Sequence, residues 1–102
     1  MTSESPKPAI ECASMEDVRF AIDALDRDIV ALFGQRMRYI EAAARIKPDR
    51  GAVRDEARKA DVIAKACAEA TKVDFPEALT RQIYEILVEG SIAHEFEAFD
   101  RR

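Results

Sequence analysis

Arg36 stands where an apolar residue is expected. Apolar residues recur at three- and four-residue steps through Val18, Ile22, Leu25, Ile29 and Leu32, and again at Tyr39, Ala43 and Ile46, with Arg36 on the same stripe. One turn away lie Leu32, Phe33, Tyr39 and Ile40, none of which carries a carboxylate. A guanidinium on a buried face calls for an anion, supplied either by an acid on another helix or by a bound ligand. Lys47 comes nearly three turns later on the same face, its Cα about 16 Å from that of Arg36. Two long side chains reaching toward each other over that span leave a gap the size of a small organic acid. Residues three and four places before Lys47 are Ala44 and Ala43, so its own helix supplies no acid there. The simpler role for Lys47 is a solvated lysine that favours the negative end of the helix dipole.

Other residues support this pair less strongly. Arg19 can pair with Glu16 or Asp23, and Arg58 with Asp55 or Asp61, so each has a surface ion-pair explanation. Ser91 and Glu95 are spaced one helical turn apart beside an apolar stripe, either as a polar flank or as pocket lining. Tyr39 and Tyr84 read as core aromatics. Cys12 and Cys67 form no C-x-x-C motif, and the single histidine, His94, has no partner at metal-ligand spacing. A zinc or iron–sulfur site and a disulfide framework are therefore not expected, nor is a Cys–His or Ser–His nucleophile.

These residues are carried by helices. Ser14, followed by Met15, Glu16 and Asp17, suits an N-cap with acids in the first turn. The stripe then predicts one helix from about Ser14 to about Lys47, ended by Pro48, with Gly34 as a close packing contact rather than a break. Pro48-Asp49-Arg50-Gly51 reads as a turn. A second helix is expected to bury Val53, Ala57, Ala60, Ile63 and Cys67. A third is capped by Asp74 with Pro76 in its first turn, and its stripe runs Leu79, Ile83, Ile86, Gly90 and Ala93, widened by Leu87, Ile92, Phe96 and Phe99. No segment alternates with period two, so the fold class is all-α with one long, one short and one medium helix. Residues 1–13 read as a flexible leader, and 14–102 as one helical domain.

Helix length has a further consequence. A helix of about 34 residues is on the order of 50 Å long, whereas a compact chain of this size has a radius of gyration of only about 13 Å. The stripe of the first helix must therefore meet another long helix, most simply its own copy in a symmetric homodimer. A bend at Gly34, giving a monomeric bundle, is the alternative.

The 102 residues carry 16 Lys+Arg against 20 Asp+Glu, for a net charge of −4. That balance offers no broad basic surface for nucleic acid or an anionic membrane. With 48% hydrophobic residues the chain can bury a core despite its 35% charged content. The first residues lack a signal peptide's apolar stretch and no apolar run could cross a membrane, so a reducing cytoplasm is the expected location.

The run Asp17-Val18-Arg19-Phe20-Ala21-Ile22-Asp23-Ala24-Leu25-Asp26, followed by Ile29-Val30-Ala31-Leu32, Arg36-Met37 and Ile46-Lys47, resembles the all-helical (AroQ-type) chorismate mutase family. That family includes the isochorismate pyruvate lyases, and the resemblance extends from about residue 14 to residue 99. It implies an intertwined homodimer of three-helix chains whose two sites each draw on both protomers. The implied ligand is a small dianion, chorismate or isochorismate. The implied reaction is pericyclic and needs no cofactor, metal or nucleophile, so catalysis would be positioning plus stabilisation of charge on the breaking ether. Carried over by position, Arg36 and Arg58 would hold the substrate carboxylates, with Arg19 arriving from the other protomer. Lys47 would sit on the ether oxygen, Asp55 near the ring hydroxyl through the loop backbone, and Val88 and Ser91 along the pocket wall.

Two positions depart from the family pattern. Many mutases have a glutamate after the second-helix arginine, where it contacts the substrate hydroxyl; here it is Lys59. Many members have a glutamine that donates to the ether oxygen; here it is Glu95, which can donate only when protonated. The reading adopted is chorismate mutase, converting chorismate to prephenate for aromatic amino-acid synthesis. Lys59 and the first-helix similarity favour the alternative, an isochorismate pyruvate lyase that gives salicylate and pyruvate. A non-catalytic helical dimer that binds a small dianion is a third reading, disfavoured because Arg19, Arg36, Lys47 and Arg58 are all present.

Overall fold

Ser14 starts the first long helix. In the computed structural model, which describes residues 4–102, its hydroxyl accepts from the Asp17 amide at 3.1 Å, and the Asp17 carboxylate accepts from the Ala13 amide at 3.0 Å. The Ser14 cap satisfies a donor that the helix start leaves open, and the Asp17 carboxylate ties down the amide just before the cap. Lys7 adds an ion pair to Asp17 at 3.3 Å, and these contacts hold the Asp17 carboxyl below the usual carboxylate range, the Ala13 amide contributing most.

The order of elements is a short 3-10 turn at Ala9–Glu11, α1 at Met15–Ile46, a 3-10 turn at Arg50–Ala52, α2 at Glu56–Lys72 and α3 at Glu77–Asp100. The described residues contain no strand, as the absence of period-two patterning requires. α1 continues through Gly34 without a break. The packing contact expected there is not made within the chain, since a Cβ at Gly34 would meet nothing within 4 Å.

Residues up to Arg36 and residues from Met37 onward form two compact units. In the first, residues Pro6 to Cys12 lie along the side of α1 that carries Val18, Ile22 and Leu25. No described residue of this unit is buried. Leu25, Ile29 and Leu32 of the α1 stripe are all exposed, at 60%, 44% and 59% of their surface. A continuous apolar stripe left open in this way is a surface built to be covered.

The second unit has its core between α2 and α3. Val53, Ile63, Cys67, Val88 and Ile92 are buried together, with Val62, Tyr84, Phe96 and Phe99 packed around them. Two sequence expectations need correcting. Val53 precedes α2, so the buried side of the helix follows from Lys59, Val62, Ile63, Cys67 and Ala70, while Ala57 and Ala60 are exposed. On α3 the buried positions are Thr80, Val88, Ser91, Ile92 and Glu95. The stripe of Leu79, Ile83, Ile86, Gly90 and Ala93 stays exposed. α3 is apolar on two sides, and the chain's own core uses one of them.

Asp74 is a third correction. It does not cap α3 but ends α2, in the left-handed conformation at φ 54°. The Phe75 amide reaches back to Ala70 O at 2.9 Å and the Asp74 amide to Thr71 O at 3.4 Å. This is the hydrogen-bond pair that closes a helix through a left-handed residue, a conformation aspartate tolerates better than most. Pro76 is the N-cap of α3 rather than a first-turn residue, and its carbonyl accepts from the Thr80 hydroxyl at 2.9 Å.

Candidate active site

Lys47 follows directly on the last turn of α1, and its amide still donates to Ala43 O at 2.9 Å. Its ammonium lies 2.7 Å from Glu95 Oε2 and 3.5 Å from Val53 O. Glu95 is 5% exposed at its side chain and Lys47 30%, so the carboxylate is enclosed and the ammonium reaches it from the rim. Oε2 has no aligned hydrogen bond within the chain, so its contact with Lys47 is an ion pair without hydrogen-bond geometry. A buried carboxylate oxygen in that state retains acceptor capacity that a polar ligand group can use.

α3 supplies the wall beside this pair. Val88, Ser91 and Glu95 recur at three- and four-residue steps on one side of the helix, and all three are buried. The Ser91 hydroxyl donates to Leu87 O at 2.7 Å. The face thus offers an apolar patch, a hydroxyl and a carboxylate in succession, within reach of a lysine from another element.

The start of α2 holds Asp55 and Arg58. Asp55 caps the helix, its Oδ1 accepting from the Arg58 amide at 3.0 Å. The Arg58 side chain is 63% exposed and pairs with Asp61 at 3.1 Å. Asp61 also meets Lys65 at 2.8 Å, and Lys65 first, then Arg58, hold its carboxyl low. Arg58 therefore takes a surface partner on its own helix. An exposed pair of this kind is worth little and yields readily to a better anion. Arg19 is exposed and pairs with neither Glu16 nor Asp23. Arg36 is half-buried. Both belong to the first unit.

Lys59 points to α3, with its ammonium 2.9 Å from Glu85 and 3.0 Å from Glu89. Glu89 is also gripped by Arg54, at 2.8 and 3.2 Å. Arg54 and then Lys59 push the Glu89 carboxyl down to about 2. Because the folded value lies below the ordinary one, the ionised carboxylate stabilises the fold above the ordinary range, and that contribution is lost as pH falls toward 2. The Glu89→Gln variant should therefore melt lower than the parent near neutral pH, and its melting temperature should fall less steeply on acidification. Parallel curves would remove Glu89 from the account.

Sequence reasoning missed Arg102. Its guanidinium stacks 3.7 Å from the Phe99 ring centroid and donates to Lys47 O at 2.6 Å and Ala44 O at 3.2 Å. Arg50 likewise pairs with Asp100 at 3.0 Å and lies over Phe96 at 4.4 Å. The aromatic-to-arginine spacing from Phe99 to Arg102 is the one local signal that pointed there.

The sequence profile described as chorismate mutase type II matches residues 18–96. The chain belongs to the chorismate mutase type II family. The matched span runs from the first turn of α1 to the end of the Val88–Ser91–Glu95 face, and so contains every candidate site residue from Arg19 to Glu95. The chain is also 38% identical over 77 residues to the isochorismate pyruvate lyase of Pseudomonas aeruginosa, which covers 72% of this chain and 76% of that protein. The family expected from the first-helix motif is thereby established, the all-α architecture expected from periodicity is observed, and the family marks the chain as an enzyme of the mutase and lyase kind. Among the described residues no group of three or more His, Cys, Asp or Glu is arranged to hold a metal ion, and no helix is long and apolar enough to cross a membrane.

Proposed function

We propose that the protein is a chorismate mutase, isomerising chorismate to prephenate. The observation that carries this reading is the Lys47 ammonium, held at the rim of the buried Val88–Ser91–Glu95 face in a chain of this family. In the rearrangement the ether C–O bond breaks while a C–C bond forms within one molecule, and no proton or electron enters or leaves. Negative charge grows on the ether oxygen, and an ammonium placed there stabilises the transition state more than the ground state. Arg36 and Arg58 hold the two carboxylates.

The site draws on two protomers of a homodimer. Arg19 and Arg36 are about 25 Å apart along one helix and on different sides of it, so one chain's pair does not close on one small dianion. Arg19 of the partner subunit supplies the missing cation. The exposed α1 stripe and the exposed second side of α3 support a covering partner, since a monomer would leave both in water.

Lys59 and the 38% identity to a lyase support a second reading, an isochorismate pyruvate lyase releasing salicylate and pyruvate. With its ammonium between Glu85 and Glu89, Lys59 does not offer the hydroxyl contact that a glutamate gives many mutases. The two acids differ in where that hydroxyl sits.

One experiment separates the readings. The purified chain is offered chorismate and isochorismate separately, and prephenate and salicylate are followed. Prephenate from chorismate is the expected product. Salicylate from isochorismate without prephenate establishes the lyase, and neither product, with a dianionic transition-state mimic still raising the melting temperature, leaves a binding protein.

A further inference from the structure

A helix ends with carbonyls that have no partner in the next turn, and with the negative end of its dipole. At the end of α1 one side chain answers both. The Arg102 guanidinium donates to Ala44 O at 3.2 Å, Lys47 O at 2.6 Å and Pro48 O at 3.4 Å. Stacking on Phe99 fixes its plane, so the fork is set before it meets the carbonyls. A few residues on, Arg50 is held by the Asp100 carboxylate from the same end of α3, at 3.0 and 3.3 Å, and by the face of Phe96.

The C-terminal end of α3, with Arg102 just beyond it, thus grips the segment 47–50 at both ends. The segment begins at Lys47, whose carbonyl is one of the gripped atoms and whose ammonium must reach the Glu95 face. We propose that Arg102 is a positioning residue for Lys47, fixing the backbone from which the ammonium is aimed. It touches neither substrate nor reacting atoms. The inference rests on Lys47 serving the reaction proposed above.

The test uses Arg102→Ala and Arg102→Lys in the full chain. In the alanine variant the amides of Lys47, Ala52 and Val53 should exchange about tenfold faster, with the α2 and α3 core amides unchanged. The kcat should fall about tenfold while KM stays within about twofold, because the ammonium is misplaced rather than removed. Lysine keeps the charge without the planar fork and should recover part of both effects. In a Lys47→Ala background, Arg102→Ala should lower kcat by less than about twofold, since there is no longer an ammonium to position. If the alanine variant does not fold, Asp100→Asn provides the second perturbation, loosening residues 50–53 from the other grip.

Unchanged exchange at residues 47–53 would overturn the proposal, as would an equal fractional loss of kcat in the Lys47→Ala background. A parent chain inactive on both acids would remove the proposed reaction, and the exchange measurement alone would then decide whether Arg102 holds the segment.

Discussion

Lys47→Ala should lower kcat by about 10²–10³, the loss seen when one preorganised donor is removed from a developing oxyanion. The effect belongs in kcat because the ammonium is worth most when the ether carries charge. Stability will change as well. Glu95 is enclosed, and without Lys47 it loses this ion pair, so the variant should also lose about 1–2 kcal/mol, less than for a fully buried pair because Lys47 is partly solvated. Lys47→Ala combined with Glu95→Gln distinguishes the two losses. The double variant removes the stranded carboxylate and should regain most of the stability while kcat remains low. Turnover in Lys47→Ala equal to that of the parent would reject the assigned role, whatever the melting temperature shows.

Glu95→Gln should raise kcat/KM rather than lower it. A carboxylate accepts hydrogen bonds only, so it has nothing to donate to the ether oxygen. The same carboxylate competes with the substrate's anionic groups for the Lys47 ammonium 2.7 Å away. Glutamine donates through its amide and carries no charge, so both effects have one sign, and the variant should gain about tenfold in kcat/KM at neutral pH. A glutamine variant no faster than the parent would remove Glu95 from the stabilisation of the ether oxygen.

Much of the scaffold was legible because its causes are local. Ser14 accepts from the Asp17 amide and Asp17 from the Ala13 amide, so the start of α1 is a matter of neighbours within four residues. The end of α1 is equally local, since Pro48 cannot continue a helix and the Lys47 amide still closes the last turn on Ala43. Asp74 escaped detection because a left-handed residue is chosen by the path the chain must take into α3, not by the residues beside it. The buried side of α3 was misread for a related reason. With apolar residues on two sides, periodicity fixes the helix but not which side the chain's own core takes.

The residue types of the site were visible, but their partners were not. The sequence by itself determined an all-α chain, a cation on an apolar stripe, and Lys47 placed at the end of a long helix, since these follow from 3.6-residue periodicity and caps a few residues wide. Only the tertiary structure decided that Lys47 faces Glu95, that Lys59 is committed to Glu85 and Glu89, and that Arg102 closes the end of α1. Each of these pairs lies more than 20 residues apart in sequence. Such a contact depends on how two helices are docked, and docking is set by the summed packing of many side chains rather than by either partner.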